Sequence, residues 1–406
     1  MRTAALHNLG CKVNSYETEA MQQLLEEAGY EIVPFHEKAD VYIINTCSVT
    51  NIADRKSRQM LHRAKKQNPD AVVVAAGCYV QAAAEELKAD LAVDVIIGNN
   101  KKQDLLPILE EYFKDKSDSS HVIEISETHE YERLSIHKIA DHTRAFLKIQ
   151  DGCNQFCSYC IIPYTRGRVR SRRPDEVVAE VRELAAAGYQ EVVLTGIHLS
   201  SYGVDFKEEE KKENLLSLIK QVHEVEGIRR IRLGSLEPRI ITEEFAQALA
   251  SMPKFCPHFH LSLQSGCDKT LKRMNRHYTT EEYAAGCEIL RRYFDNPAIT
   301  TDVIVGFPGE TEEEFEETKA FLERIGFYEM HIFKYSRRAG TRADRMPDQI
   351  PEQVKSVRSE ILLKLEKQMS KAYRESFSGK KKTVLLEEKT EIGGRAYMIG
   401  HTMEYV

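Results

Sequence analysis

The chain has 406 residues, of which 42% are hydrophobic and 30% are charged, and its formal net charge is −6. This length exceeds what one hydrophobic core usually serves, and the composition is that of a globular protein, so two or three domains are expected. The acidic balance excludes a molecule that attracts nucleic acid over its whole surface, and any RNA binding must rest on local patches.

No apolar run is long enough to span a bilayer, and residues 1–10 lack the basic and apolar regions of a signal peptide. We therefore expect a cytoplasmic protein that does not contact a membrane. In such a protein, nine cysteines are better explained by metal binding or thiol chemistry than by disulfides.

Strand and helix patterns alternate over residues 1–115. Short apolar runs occur at residues 3–9, 41–45, 71–76 and 93–97, with helical patterns between them at residues 16–28 and 53–67. Alternation of this kind predicts a parallel sheet covered by helices, and thus a small doubly wound α/β domain. Residues 116–140 are polar and lack a clear period, which predicts a linker with one edge strand.

The alternation resumes at residue 141. Strand patterns occur at residues 145–149, 192–195, 231–233, 260–263, 301–305 and 330–335, and helical patterns at 174–187, 215–224, 281–293 and 312–325. Six strands alternating with helices predict a partial or full α/β barrel over residues 141–377, closed by a long helix at 351–377. Residues 378–406 have the pattern of the start of a small β domain.

Cys153, Cys157 and Cys160 form a C-x3-C-x2-C motif directly after the first barrel strand. Three thiolates on one tight loop can hold three corners of a [4Fe–4S] cluster, which leaves one iron open for another ligand. A zinc knuckle or a redox C-x-x-C is the alternative. The loop resembles the signature of the radical S-adenosylmethionine (SAM) superfamily. This resemblance implies that the open iron binds the amino and carboxylate groups of SAM, and that one electron cleaves SAM to methionine and a 5′-deoxyadenosyl radical.

Five arginines follow within eight residues, namely Arg166, Arg168, Arg170, Arg172 and Arg173. Beside a cluster, this arginine segment (residues 166–173) is expected to hold the SAM carboxylate or RNA phosphates by bidentate contacts, with a solvated loop as the alternative. The pattern C-x-x-P-x-x-R-G-x-x-x-S-R, which includes Arg166, is similar to the methylthiotransferase branch of the superfamily. We therefore place Arg166 with the three cysteines among the predicted catalytic residues.

Cys11, Cys47 and Cys78 each follow a predicted strand of the N-terminal domain. Ligands of an open parallel sheet bind at the carboxyl ends of its strands, so these thiols are expected to converge. Three ordinary buried thiols are the alternative. The pattern resembles the N-terminal domain of methylthiotransferases, which implies an auxiliary [4Fe–4S] cluster that takes part in sulfur delivery. Three further cysteines lack such a context and are expected to be structural, namely Cys256, Cys267 and Cys287.

Several predicted barrel strands end in polar residues or glycine, where a barrel enzyme has its active site. These positions are Thr195, Gly196, Ser235, Glu237, Gln264 and Asp302. The family resemblance implies that such positions contact the amino group, ribose and adenine of SAM. The turn at residues 306–309 belongs to the same edge, with a plain helix-preceding turn as the alternative. The basic loop at residues 335–343 is similar to an S-x-R-x-G-T-x-A element of the family and is expected to line the substrate opening, unless it is a solvated loop.

The resemblance covers residues 1 to about 377. Family members normally finish with a complete TRAM domain, a small RNA-binding β module, and residues 378–406 resemble part of one. Either the sequence stops short of the whole protein or the protein lacks the rest of this domain, in which case weaker RNA binding is expected.

Three branches of the family differ in substrate. The segment LGCKVNSYETE at residues 9–19 is most similar to the branch that acts on threonylcarbamoyladenosine in tRNA. The resemblance therefore implies methylthiolation at C2 of N6-threonylcarbamoyladenosine 37 of tRNA, with two [4Fe–4S] clusters, SAM and an electron donor such as a flavodoxin-type reductant. The alternatives are isopentenyladenosine in tRNA, an aspartate of a ribosomal protein, and a non-catalytic RNA-binding protein with zinc in both cysteine sites.

Overall fold

A computed structural model of the protein describes residues 2–116, 119–136, 143–207 and 212–406. The N-terminal strands are rich in Val, Ile and Ala, and the two central ones, VYIINT and VVVAAG, are buried along their whole length. A strand buried on both faces needs helices on both sides, which is the setting of a parallel sheet. The doubly wound domain predicted from the sequence is confirmed.

This sheet has the order β2-β1-β3-β4-β5-β6, and every neighbouring pair is parallel. Its strands are β1 (Thr3–Asn8), β2 (Glu31–Ile32), β3 (Val41–Thr46), β4 (Val72–Gly77), β5 (Val95–Ile97) and β6 (Ser120–His121). Its helices are α1 (Lys12–Glu27), α2 (Asn51–Gln67), α3 (Cys78–Ala82), α4 (Ala84–Lys88) and α5 (Leu105–Lys114). Helices α1 and α5 cover one face, and α2 and α3 cover the other.

The segment predicted to be a polar linker contains the expected edge strand, β6, which pairs with β5. It is nevertheless not a solvated connection, because Glu132, Leu134 and Ile136 are buried where the sheet meets the barrel. Three alternating buried positions are too few to produce a recognisable period in the sequence. The parts of this prediction at residues 117–118 and 137–140 lie outside the described residues.

The second region is a partial barrel whose strands follow the order β8-β7-β9-β10, continued by β11-β12-β13. Two parallel bridges, Ile231 to Phe255 and Leu236 to Leu261, join the two sets. The strands are β7 (Arg144–Asp151), β8 (Arg170–Ser171), β9 (Glu191–Gly196), β10 (Arg230–Leu233), β11 (His258–His260), β12 (Ala298–Val305) and β13 (Glu329–Lys334). Only the short β8 runs antiparallel to its neighbour.

The helices of the barrel alternate with its strands, as the sequence predicts. They are α6 (Ile162–Arg166), α7 (Pro174–Ala186), α8 (Leu215–His223), α9 (Glu243–Ala250), α10 (Asp268–Arg273), α11 (Thr280–Tyr293), α12 (Glu312–Ile325) and α13 (Glu352–Glu375). Capping boxes fix the starts of α11 and α12, where Thr279 and Glu282, and likewise Thr311 and Glu314, exchange hydrogen bonds with each other's backbone. The barrel is thereby confirmed in its partial form.

The chain ends in an antiparallel hairpin of β14 (Leu385–Ile392) and β15 (Arg395–His401), turned by Gly393 and Gly394 at positive φ. The tail packs against the amino ends of the barrel strands, where the Arg232 guanidinium donates to the Met403 carbonyl at 3.0 Å. This end lies opposite the carboxyl edge that carries the cysteine loop. Within the described residues, no helix combines the length and the apolar character needed to cross a membrane.

Candidate active site

The central trio (Cys153, Cys157 and Cys160) lies on the loop that leaves the carboxyl end of β7. Gly152 opens this loop at φ +69°, and a Cβ there would lie 1.8 Å from the carbonyl oxygen of Arg168. Only glycine permits this close approach. The cysteine loop is therefore held directly against the arginine segment.

All three thiols of the central trio face one cavity. The Arg276 guanidinium donates to the Cys157 sulfur at 3.3 Å, and the backbone N–H of Gln155 donates to the Cys153 sulfur at 3.5 Å. Burial, reinforced by the neighbouring thiols, raises the pKa of Cys153 to about 11 and that of Cys160 to about 12. A bound metal cluster reverses this, because its positive charge holds thiols deprotonated. Three convergent sulfurs with N–H donors already directed at them fit a [4Fe–4S] cluster.

Three of the six residues predicted to contact SAM line the same cavity, namely Ser235, Glu237 and Gln264. Gln264 adopts φ +72°, which is unusual for a residue with a side chain and occurs mainly where the surroundings enforce it. Arg239 pairs with the Glu237 carboxylate at 2.7 Å.

The other three predicted contacts lie elsewhere. Thr195 is buried within the barrel, and Gly196 packs so closely on Gln150 that a Cβ would lie 2.9 Å from its side chain. Asp302 lines an adjoining cavity and lies 3.2 Å from Nε2 of His260. None of these three residues lines the cavity of the central trio, so their contacts with SAM remain predictions from the sequence.

Among the residues of this cavity that were not found from the sequence, two have basic side chains, Arg276 and His198. Arg276 follows α10 in a loop without any motif, and no sequence signal distinguishes it. His198 lies two residues after Gly196, so the strand-end rule would have found it had it been extended past the last strand residue. Burial lowers the pKa of His198 to about 4, which keeps this imidazole neutral.

The N-terminal trio (Cys11, Cys47 and Cys78) lies at the carboxyl edge of the first sheet. Its members follow β1, β3 and β4, which are adjacent in the strand order. Burial, together with the nearby thiols of Cys78 and Cys11, raises the pKa of Cys47 to about 11. Cys11 is exposed, whereas Cys47 and Cys78 are buried. The sheet topology therefore brings these sulfurs together, as parallel strands are expected to do.

Glycines make room for the N-terminal trio. At Gly10, with φ +107°, a Cβ would lie 2.8 Å from the Cys47 sulfur. At Gly77, with φ +97°, it would lie 2.5 Å from Oδ1 of Asn45. A side chain at either position would displace the adjacent thiol or the strand that holds it. The close backbone approach and the three sulfurs suit a second cluster.

Arg166 links the two trios. Its Nε donates to the Cys78 sulfur at 3.2 Å, and its Nη1 donates to Asp151 at 3.0 Å and to Glu17 at 2.9 Å. Asp151 lies two residues before Cys153, so one guanidinium contacts a thiol of one trio and the start of the loop that carries the other. All of these side chains are buried.

Lysines complete this buried network. Lys148 pairs with Glu17 and with Asp151, both at 2.8 Å, and Lys102 pairs with Glu17 at 3.2 Å. Burial alone would raise the pKa of Glu17, but Arg166, Lys102 and Lys148 outweigh burial and hold the pKa well below its ordinary value. The sequence prediction passed over Glu17, since nothing in one strand-to-helix segment shows which distant cations it will meet.

The arginine segment differs from its sequence prediction. Arg166, Arg170 and Arg172 are buried, and Arg172 pairs with Glu180 of α7. These three side chains are therefore held by protein carboxylates and carbonyls, and neither RNA phosphates nor a solvated loop describes them. Arg168 and Arg173 remain exposed. The error arose because the partner carboxylates Glu17, Asp151 and Glu180 lie on other elements, namely α1, β7 and α7.

The basic loop at residues 335–343 contacts the N-terminal region. The Arg338 guanidinium donates to Ser48 Oγ at 2.6 Å, to Asn51 Oδ1 at 3.0 Å and to the Asp54 carboxylate. It thus fixes the segment that follows Cys47. Beside it, an opening between sheet and barrel is lined by Val49, Thr50, Tyr159, Gln264, Asp302, Ile304, Phe333, Lys334, Tyr335 and Ser336.

Comparison with known families separates the same two regions. Residues 147–322 match the Radical SAM superfamily, and residues 3–98 match an uncharacterized protein family, UPF0004. Among solved structures, the radical S-adenosylmethionine methyltransferase TsrM from Kitasatospora setae matches with a TM-score of 0.62 at 18% identity, over 84% of this chain and 77% of that one. At this identity the likeness concerns the fold. The partial barrel, the cysteine loop at its carboxyl edge and the superfamily match define a radical SAM enzyme.

Relatives of known function narrow this class. The threonylcarbamoyladenosine tRNA methylthiotransferase MtaB of Bacillus subtilis is 44% identical over 100% of this chain and 90% of its own length. The protein of the same name from Aquifex aeolicus is 42% identical over 96% and 93%. The tRNA-2-methylthio-N(6)-dimethylallyladenosine synthase of Moorella thermoacetica is 38% identical over 95% and 87%. The chain belongs to the radical SAM methylthiotransferase family, as its sequence motifs indicated. Membership of this superfamily implies a [4Fe–4S] cluster and SAM.

Proposed function

We propose that the chain transfers a methylthio group to C2 of N6-threonylcarbamoyladenosine at position 37 of tRNA. The names of the two most similar relatives cited above support this substrate. The observation that carries the proposal is the pair of cysteine trios, one on each side of the junction and joined through Arg166. Two cysteine sites this close together suit a reaction in which one cluster cleaves SAM and a second takes part in sulfur delivery.

Cys153, Cys157 and Cys160 are the proposed ligands of the cluster that binds SAM. When bound, this cluster supplies the electron that cleaves SAM. The surrounding residues Ser235, Glu237, Gln264 and Arg276 line the cavity and hold SAM in place. The positively charged guanidinium of Arg276 pairs with the SAM carboxylate. Because His198 stays neutral in the same cavity, it adds no charge that would repel the sulfonium group.

Cys11, Cys47 and Cys78 are the proposed ligands of a second [4Fe–4S] cluster, which takes part in sulfur delivery. Arg166 donates an N–H to the Cys78 sulfur, and Nδ2 of Asn99 lies 3.6 Å from the same sulfur. Such donors stabilise a thiolate ligand and fix its direction. Because Arg166 touches a proposed cluster ligand, it is the proposed non-cysteine member of the catalytic machinery.

The opening beside Thr50, Phe333 and Tyr335 is the proposed entry for the target base. A base that is modified on its ring must leave its stack and enter a pocket between apolar and aromatic side chains. Phe333 and Tyr335 supply such surfaces, and Asp302 and Gln264 supply hydrogen-bonding groups in the same lining.

Nucleoside analysis tests this function. Transfer RNA from a strain lacking the gene should contain threonylcarbamoyladenosine without its methylthio form, while methylthio-isopentenyladenosine is unchanged. The purified chain, reconstituted with iron and sulfide and supplied with SAM and a reductant, should restore the methylthio form on that tRNA. If the methylthio-threonylcarbamoyl nucleoside persists and the isopentenyl one disappears, the substrate assignment is wrong.

Metal analysis tests the cofactors independently of the substrate. Two four-iron clusters correspond to about eight irons and eight sulfides per chain after anaerobic reconstitution. Zinc in both sites without iron would instead support a non-catalytic RNA-binding protein. An electron donor such as a flavodoxin-type reductant and a cytoplasmic location remain predictions from the sequence.

A further inference from the structure

Helix α2 has an exposed face of one charge sign. It contains six Lys and Arg residues and one acid, Asp54. Five of the six bases are exposed, namely Arg55, Lys56, Arg58, Arg63 and Lys66. Asp54 is already paired with Arg338. The pKa of Arg58 is raised by its hydrogen bond to Tyr79 and by the nearby carboxylates of Asp54 and Glu86. Among the described residues, no carboxylate forms an ion pair with any of the five.

Helix α13, the 24-residue helix that closes the barrel, provides a comparison. Its sequence EQVKSVRSEILLKLEKQMSKAYRE mixes acids and bases, and pairs such as Lys371 with Glu375 form along it. A mixed pattern is what a helix face needs for solubility alone. On a chain of net charge −6, a face without exposed acids indicates a polyanionic partner.

The position of α2 connects this face to the candidate active site. Its N-cap, Thr50, lies three residues after Cys47 and lines the opening between sheet and barrel. From there the helix extends over 17 residues, which is about 25 Å. Arg58 and Tyr164 line a second cavity beside the opening, together with Asp54, Glu86 and Arg338, so the surface of α2 continues onto the segment that follows the cysteine loop.

Large apolar side chains surround the start of α2. Val49 is 55% exposed, Ile52 57%, Tyr164 50% and Phe333 47%. Exposed apolar and aromatic groups beside clustered bases are typical of surfaces that bind single-stranded RNA, where bases stack and phosphates meet cations. Val49 and Phe333 line the opening, Tyr164 lines the second cavity beside it, and the cations lie along the helix that leads away from the opening.

We propose that the exposed basic face of α2 binds the sugar–phosphate backbone of the tRNA arm that carries the target base. The proposal rests on the proposed function for the identity of the RNA. Phosphate contacts along α2 fix the position of the RNA strand on the protein. The target base, beyond the last of these contacts, then reaches the opening beside Thr50. The site requires no contact with base edges, so it does not depend on which nucleoside is modified.

The test compares two triple variants of the reconstituted full chain. The first is Arg55→Gln, Lys56→Gln and Arg63→Gln on α2. The matched control is Lys364→Gln, Lys367→Gln and Lys371→Gln, which removes the same charge from exposed positions of α13. Glutamine retains helix propensity, so both helices should form. Iron content and SAM cleavage without RNA verify that both variants fold and load their clusters.

Binding of an unmodified tRNA transcript is measured between 50 and 300 mM KCl. We expect the α2 variant to bind about 10-fold or more weakly near 0.1 M salt, and the slope of log K against log salt to fall by about 2 to 3, since each lost phosphate contact removes nearly one unit. The control should change affinity by less than about 2-fold. In turnover, KM for tRNA should rise while kcat stays unchanged.

Equal losses in both variants, or an unchanged salt slope in the α2 variant, would overturn the proposal. This outcome differs from a failure of the proposed function. If the chain modifies another tRNA nucleoside, the binding difference between the two variants persists. If the unaltered chain modifies threonylcarbamoyladenosine but the two variants bind tRNA alike, only the assignment of α2 fails.

Discussion

The two cysteine trios are assembled in opposite ways. The central trio lies within eight residues of one loop, so its spacing is visible in the sequence. The N-terminal trio comes from the ends of β1, β3 and β4, and its members meet only because these strands are neighbours in a parallel sheet. The first site depends on local chain geometry, while the second depends on a whole domain and on the contacts that the barrel makes with it.

The largest expected effect is the loss of activity and iron when all three cysteines of one trio are replaced, and it differs between the two trios. Replacing Cys11, Cys47 and Cys78 together by alanine should abolish methylthio transfer but leave about four irons and the cleavage of SAM to 5′-deoxyadenosine. Replacing Cys153, Cys157 and Cys160 should abolish both reactions and leave about four irons on the N-terminal trio. Iron analysis and product chromatography of the anaerobically reconstituted variants measure these outcomes.

If either triple variant lost all iron, the two trios would not be independent sites. A single shared metal centre at the junction would then be the simpler explanation. The variant of the N-terminal trio is the more informative one, because its cysteines lie in no spacing motif that the sequence displays.

The same contrast explains what could be predicted from the sequence. The alternation of strand and helix patterns is visible along the chain, so both α/β regions were predicted. The family motifs are short local patterns, so they were found as well. Contacts between distant segments have no local signal. The pairing of Glu17 with Lys102 and Arg166, and the contact of Arg276 with Cys157, become visible only in the folded chain. The burial of Arg166, Arg170 and Arg172 could not be predicted for the same reason.

The next prediction concerns the network that joins the trios. In the Glu17→Gln variant, Arg166, Lys148 and Lys102 keep their charge in a buried site but lose one carboxylate. Removing one partner of a buried ion pair typically costs about 3–5 kcal/mol. We expect this loss of unfolding free energy in the protein without clusters, measured by denaturant titration. Adding Lys102→Met should recover part of it, because it removes the excess cation.

The pH dependence of this effect has a defined sign. The folded-state pKa of Glu17 lies well below its ordinary value, since its three cations outweigh burial. Its contribution to stability is therefore complete above the unfolded-state pKa of about 4.3 and is lost as the pH falls below it. The stability difference between the unaltered chain and the Glu17→Gln variant should accordingly narrow below about pH 4. A difference that stayed constant down to pH 3 would contradict the charge-based explanation.

A smaller effect tests how far the N-terminal trio depends on the barrel. Arg338 is nearly buried and binds the segment after Cys47, whereas its neighbour Arg337 is exposed and pairs with Asp344. Hydrogen bonds to a charged group contribute about 1.5–3 kcal/mol each when buried, and exposed pairs contribute about 0–1. Arg338→Gln should therefore speed the loss of iron from the N-terminal trio to a chelator by about 10-fold. Arg337→Gln should leave this rate unchanged, and iron loss from the central trio should be unaffected by either variant.

The smallest effect is expected where a cysteine belongs to neither trio. Cys256 is fully buried, and burial raises the pKa of its thiol to about 12, so it behaves as a small apolar side chain. Cys256→Ala removes one buried sulfur and should lower the unfolding free energy by about 1 kcal/mol, comparable to a buried methylene. Iron content, the spectrum of the reconstituted protein and methylthio transfer should equal those of the unaltered chain, in contrast with Cys47→Ala. If the Cys256→Ala variant bound less iron, Cys256 would contribute to a metal site although it is buried and isolated. The assignment of the iron ligands to the central and N-terminal trios alone would then be wrong.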